Sequence, residues 1–341
     1  MGSETPGRVE LHPDSSVGFS AECRFHDALM SVGRRSRDVS LEVLRQVVAK
    51  LDPGPGGRIE WLYGHNWVTL AWPAKHPLWG VFALPLRSLL YMRAIDVPQL
   101  DERYGWEFAT KHQLAARLVL WFVETLRLWG LVRAVWVVVD GAYAERPFLD
   151  AILKVGVTVV SRLRKDAELF DLPPSRRPGQ RGRPPVRGAK LSLAKRASHP
   201  EGWQSIVYHC RGVEVTRDYK TFIALSTLTE GLVRVVLVRF EDGGWIPYFR
   251  TDPNASVRDI LEVAAARWAI EEHFHDVQEI WAAGQQQVRH VWSNIGCWNP
   301  NGWMFTLVEL AAWDRPATAR GTTPSAVPRT PIGAVISPVK C

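Results

Sequence analysis

The chain has 341 residues, enough for one large domain or two ordinary ones, and 42 Lys and Arg stand against 35 Asp and Glu for a formal charge of +7. That balance favours a polyanionic partner without naming one. Cys23, Cys210, Cys297 and Cys341 are scattered with no CxxC pair, which argues against a disulfide scaffold or a zinc ribbon and for a reducing compartment. No basic-apolar-small pattern marks a secretory leader. The most apolar region, Leu114 to Val139, is interrupted by Arg117, Glu124, Arg127 and Arg133, so no membrane span is expected and the protein reads as cytoplasmic.

Residues 1–57 show little strand pattern. Leu41, Leu44, Val47, Val48 and Leu51 recur at helical spacing and predict a helix over Asp38 to Leu51, stopped by Asp52-Pro53 and a Gly/Pro run. Two β-rich apolar runs follow, Trp67 to Trp72 and Leu78 to Leu86, joined by Pro73 to Pro77 as an antiparallel hairpin. Thr110 to Gln113 fits a capping box that opens a helix, with Gly130 at its end. Val135 to Val139 is a continuous apolar run, the mark of a strand buried on both faces. A helix from about Glu145 accommodates Pro147 in its first turn and ends at Gly156, and Val157 to Ser161 forms a second buried strand. This order predicts an α/β sheet with a mixed edge. From Arg162 the chain turns basic and Pro/Gly-rich, then strand-like at Ser205 to Tyr208, Thr221 to Leu225 and Val233 to Phe240, a β-rich insertion. A long helix capped by Ser256 is expected to carry Ile270, Phe274, Val277 and Trp281 on one face.

Three groups of residues could carry chemistry. Asp140 ends a hydrophobic strand, at the carboxyl edge where α/β folds bind ligands; alone, it is equally the cap of the following helix. Arg267 and Glu271 lie one helical turn apart, so the guanidinium can orient the carboxylate or meet a phosphate; alone, they are an ordinary surface ion pair. The arginines Arg176, Arg177, Arg181, Arg183 and Arg187 form a basic stretch, either a solvated loop or a DNA contact. Within it, Arg181-Gly182-Arg183-Pro184 resembles the core of a minor-groove hook. His273 and His275 are two apart on a helix and point to different faces, which argues against a histidine metal site. Most of the tryptophans are expected in the core.

The order of strand-end acid, β-rich insertion and Arg/Glu helix resembles the DDE insertion-sequence transposases of bacteria. The residues that carry the resemblance are Val137-Val138-Val139-Asp140-Gly141-Ala142-Tyr143, Ser161 to Ala167, and Arg267-Trp268-Ala269-Ile270-Glu271, with Tyr63-Gly64-His65-Asn66-Trp67 similar to the family's early strand region. The likeness covers roughly residues 58–315. It implies a ribonuclease-H-like mixed sheet with a β-rich insertion between the second and third acids. The core would comprise 58–165 and 252–315, the basic linker and insertion 166–251, a divergent segment 1–57 and a disordered tail 316–341. It also implies Asp140 and Glu271 as catalytic, metal-holding acids, with Mg2+ (or Mn2+ as substitute) as cofactor. Arg267 and the basic stretch would contact DNA. The partner would be double-stranded DNA at element ends, met by a homo-oligomer associated with the nucleoid. The family's Tyr three residues before the Arg and Lys seven after the Glu are replaced by Ala264 and Gln278.

The first acid of such a site should end a strand upstream of Tyr63. Asp14, Asp27, Asp38, Asp52 and Glu60 do not end convincing strands, so the first acid is expected to be missing and cleavage impaired. A shifted reading frame upstream would account for residues 1–57. The alternatives are a non-catalytic DNA-binding remnant and a cellular nuclease on the same fold.

Overall fold

The computed structural model describes residues 16–24, 46–51, 59–98, 100, 105–131, 133–175, 181–284, 288 and 290–315, with backbone alone at 16–24, 46–51 and 59–64. In chain order come β1 (Ser16–Arg24), β2 (Gln46–Leu51), β3 (Ile59–Gly64), β4 (Asn66–His76), β5 (Gly80–Tyr91) and α1 (Lys111–Leu128). Then follow β6 (Trp136–Val139), α2 (Arg146–Leu153), β7 (Thr158–Arg162), β8 (Leu169–Phe170), β9 (Lys190–Leu191) and α3 (Leu193–Ser198). The last are β10 (Gln204–Cys210), β11 (Val213–Ser226), β12 (Gly231–Arg239), β13 (Trp245–Arg250), α4 (Val257–Ala266), α5 (Ala269–Glu279) and α6 (Val291–Ala311).

The main sheet runs β5-β4-β1-β6-β7-β13-β12-β11-β8-β9, with β10 on the free part of β11. Its first five strands have the ribonuclease-H-like arrangement. β4 pairs antiparallel with β5 and with β1, while β1, β6 and β7 are mutually parallel. The parallel centre requires crossovers, and α1 and α2 supply cover on one side, as expected where both faces of a sheet are buried.

Alternation along the strands divides the core into two faces. Val68, Leu70, Val137, Val139, Val159, Val235 and Phe249 point to the side packed by α1 and α2. Val138, Val160, Val236 and Val238 point the other way, under α4, and Trp67, Ala71 and Leu90 lie under α5 and α6. The result is a three-layer α/β/α body.

Local rules account for several ends. Thr110 Oγ1 accepts the Gln113 N–H at 3.2 Å and Gln113 Oε1 accepts the Thr110 N–H at 2.9 Å, the reciprocal capping box that opens α1. Gly130, at φ 71, turns the chain out of it. Pro147 sits in the first turn of α2, where its missing N–H costs nothing. Ser256 Oγ accepts the Asp259 N–H at 3.1 Å and caps α4.

Four expectations need correction. The predicted helix over Asp38 to Leu51 fails where it is described: Gln46–Leu51 is β2, paired antiparallel with β3, and the rest lies outside the described residues. The missing strand before the hairpin is present as β1, inserted between β4 and β6. The hairpin turn lies at Pro77 to Trp79, since Pro73 to His76 still pair with β5. The long helix after Ser256 is two helices, broken at Arg267-Trp268.

The insertion does not stand apart. β13 pairs with β7 through Tyr248, Phe249 and Arg250, so the insertion strands continue the core sheet. The tail 316–341 lies outside the described residues.

Candidate active site

Asp140 directly follows β6. Continuing the alternation of that strand puts it on the side of Val138, the face covered by α4 and α5 rather than by α1. Its Oδ1 accepts the Gly141 N–H at 2.6 Å, and its carbonyl accepts the Tyr143 N–H at 2.9 Å. Gly141 passes close to the end of β7: a Cβ there would stand 3.4 Å from the Arg162 carbonyl oxygen. The turn is steadied from α1, where His112 Nε2 lies 2.9 Å from the Ala142 carbonyl and its ring 5.7 Å from that of buried Tyr143. Among the described residues Asp140 makes no ion pair, which leaves a half-exposed, rigidly seated carboxylate.

Glu271 lies in the first turn of α5. Arg267 Nη1 stands 2.7 Å from its Oε1, and the Arg267 side chain is only 16% exposed, against 35% for Glu271. The pair is therefore more sheltered than an ordinary surface i,i+4 bridge, and its partial burial sets a desolvation cost against the attraction. Between the helices the hydrogen bonds tighten. The Trp268 N–H donates to the Ala265 carbonyl and the Glu271 N–H to the Trp268 carbonyl, at 3.2 and 3.0 Å, in three-residue steps. This elbow lets α4 pack over β6 and β7 while α5 packs over β4 and β5. α5 also lies against β1, the neighbour of β6. Asp140 and Glu271 thus share one side of the sheet, with β1 between their elements.

The β1 position level with Asp140 follows by continuing the backbone register. Ser16, Val17 and Gly18 pair with Trp136, Val137 and Val138, and two further steps place Ser20 level with Asp140. The one acid in β1 is Glu22, beyond Ser20 in the stretch where the register with β4 shifts between Ser20 and Cys23. Sequence reasoning passed over both the strand and Glu22. The signal available was the alternation of Val17, Phe19 and Ala21 with Ser16, Gly18 and Ser20.

Arg181, Arg183 and Arg187 are exposed on an extended segment, with Arg187 held 5.0 Å from the centre of the Phe170 ring. Gly188 anchors the segment's end: a Cβ there would fall 2.5 Å from the Leu172 carbonyl oxygen. Arg176 and Arg177 lie outside the described residues. His273 is buried, and burial lowers its pKa to about 3, whereas the His275 side chain is 62% exposed. Of the described tryptophans, only Trp67 and Trp298 are fully buried, stacked at 5.3 Å; Trp129, Trp292 and Trp303 are exposed. Trp106, Trp121, Trp136, Trp203, Trp245 and Trp281 are partly buried and pack against the core.

Carboxylate oxygens are the hard donors that divalent cations take. Among the described residues no three His, Cys, Asp or Glu side chains gather as a metal cluster. No helix among them is long and apolar enough to cross a membrane.

Residues 65–222 match the family model described as "DDE superfamily endonuclease". No curated protein matches the chain. Among solved structures, one with some likeness is described as a cryo-EM structure of a piggyBac transposase synaptic complex with hairpin DNA. It has a TM-score of 0.39 and 9% identity, over 87% of this chain and 48% of that one, so the present chain spans about half of its length. The family match runs from β4 through the Asp140 turn into β11, so this part of the chain is similar to the DDE superfamily endonucleases, and the match ends before Arg267 and Glu271.

Proposed function

We propose that this protein is an insertion-sequence DDE transposase that binds double-stranded DNA at element ends and is impaired in cutting it. What supports the second half is the register of β1: Gly18 pairs with Val138, and continuing it by two residues would bring Ser20, not an acid, level with Asp140. Asp140 and Glu271 would hold one divalent ion, Mg2+ or Mn2+, with Arg267 fixing the orientation of Glu271. When bound, such ions activate the attacking water or 3′-OH and stabilise the leaving oxygen. A second such ion would need a further carboxylate from β1, and Ser20 would supply none at the position level with Asp140. Losing one of two charge-stabilising centres costs several kcal/mol, and at about 1.4 kcal/mol per tenfold in rate that removes two or more orders of magnitude. Arg181 and Arg183, exposed and unshielded by the core, neutralise phosphates, and oligomerisation on DNA would bring two ends together.

The test is nicking of a matched element end with Mg2+ or Mn2+. The native chain should bind the duplex and leave it intact, and Ser20→Asp should raise metal-dependent nicking by roughly a hundredfold or more. Cleavage by the native chain that disappears in both Asp140→Ala and Glu22→Gln would overturn the impairment and make Glu22 the first acid.

A further inference from the structure

We propose that Arg211, in the β-rich insertion, is a positioning residue for Glu271 that acts through Trp268. The metal half of this inference rests on the reading of Glu271 as a metal-holding acid.

β10 and β11 are joined by Arg211 and Gly212, flanked by the Cys210–Val213 pair. Both turn residues have positive φ, 52° for Arg211 and 80° for Gly212, the geometry of a two-residue hairpin turn that Asn-Gly satisfies most cheaply. Arginine is a costly residue in the left-handed region. Here its side chain reaches out of the turn and stacks its guanidinium 3.9 Å from the centre of the Trp268 ring. Trp268 is the elbow between α4 and α5. Its own carbonyl accepts the Glu271 N–H at 3.0 Å, and its neighbour Arg267 bridges to the Glu271 carboxylate at 2.7 Å. Clamping the Trp268 ring therefore fixes both the backbone and the guanidinium that orient Glu271.

Two further contacts seat the same hairpin. Glu262 Oε1, on α4, accepts the His209 backbone N–H at 3.2 Å, and its Oε2 accepts Lys75 Nζ at 3.0 Å from the end of β4. Burial works to raise the Glu262 pKa, but the Lys75 and His209 hydrogen bonds outweigh it and hold the carboxyl below its ordinary value. Gly80, the first residue of β5, meets Gly212 backbone to backbone: a Cβ on Gly80 would stand 3.5 Å from the Gly212 Cα. The hairpin is thus braced against α4 and the start of β5, and the Arg211 stack is the contact that reaches the elbow itself.

Arg211→Asn removes the stack while giving the turn a residue that suits it, so the fold is preserved in the variant. In the full-length protein its thermal midpoint should equal or exceed that of the native chain. Amide exchange over residues 268–272 should nevertheless become about fivefold faster or more, and the Mn2+ concentration for half-saturation, read by electron paramagnetic resonance, should rise roughly three- to tenfold. Arg211→Lys, which keeps a cation over the ring, should recover part of both changes. Unchanged exchange at 268–272 in Arg211→Asn would overturn the clamp. Glu271→Gln serves as the control: if Mn2+ binding survives it, Glu271 holds no metal, and Arg211 positions no metal ligand whatever the exchange data show.

Discussion

The two faces of the sheet are built from the same strands and to opposite standards. On the α1 and α2 side the packing is apolar throughout, with Phe148, Leu149 and Ile152 of α2 fully buried against Val137, Val139 and Val159. Its helices are closed by a capping box and by an N-terminal proline. The opposite side carries a broken helix, a neutral buried histidine, a sheltered ion pair and a strand-end acid. A face that only has to be stable can satisfy every local rule at once. The other face departs from local regularity where Asp140 and Glu271 stand, the pattern the proposed site would produce.

Substitutions on each face should separate these roles. The largest loss is expected from Phe148→Ala, about 3–5 kcal/mol of unfolding free energy by denaturant titration, with DNA affinity per folded molecule unchanged. A comparable fall in affinity of the folded fraction would break the division between the faces. On the opposite side, His273 makes stability pH-dependent. Burial keeps the folded imidazole neutral down to about pH 3, whereas the unfolded chain protonates it near 6.5. Its contribution is complete above 6.5 and is lost as pH falls toward 3, at up to about 1.4 kcal/mol per pH unit. His273→Leu should flatten the stability profile between pH 6 and 4 by roughly that slope, and an unaltered profile would mean that the imidazole finds a proton-accepting route inside the fold. Thr110→Ala should cost about 1 kcal/mol through the lost cap, measurable as a lowered denaturation midpoint with no change in DNA binding. The smallest effect belongs to Arg181→Ala with Arg183→Ala: each lost phosphate contact should reduce the salt slope of log K by roughly 0.9. An unchanged slope would return this segment to a solvated loop.

The same contrast explains what could be read in the sequence. Val135 to Val139, the Thr110 box and Ser256 are local signals, and the structure carries each of them out. β2 was hidden because Val47, Val48 and Leu51 suit a helix and a short strand equally well, and pairing with β3 decided between them. β13 was hidden by Pro247, which argues against a central strand. The Pro247 carbonyl accepts the Leu163 N–H at 2.8 Å, so its nitrogen faces the edge where β7 has already ended at Arg162, and no ladder bond is lost. The elbow at Arg267-Trp268 has no Gly or Pro to announce it. It arises because α4 and α5 answer to different parts of the sheet. Of the proposed site, Asp140 at a strand end and the Arg267–Glu271 ion pair could be read from short-range spacing. The partner position in β1 could not, because it is defined only by register with strands more than a hundred residues away.

The β7–β13 pairing has a consequence for how this chain is made. Val160 meets Arg250 and Ser16 meets Trp136, so neither side of the parallel centre can be completed from neighbouring sequence. Pairings this distant in sequence slow folding, since loop closure comes before any contact rewards it. During synthesis β7 would wait with an apolar edge uncovered until β13 has emerged. That would leave the edge of β7 open to pairing with other chains during the interval between the two strands.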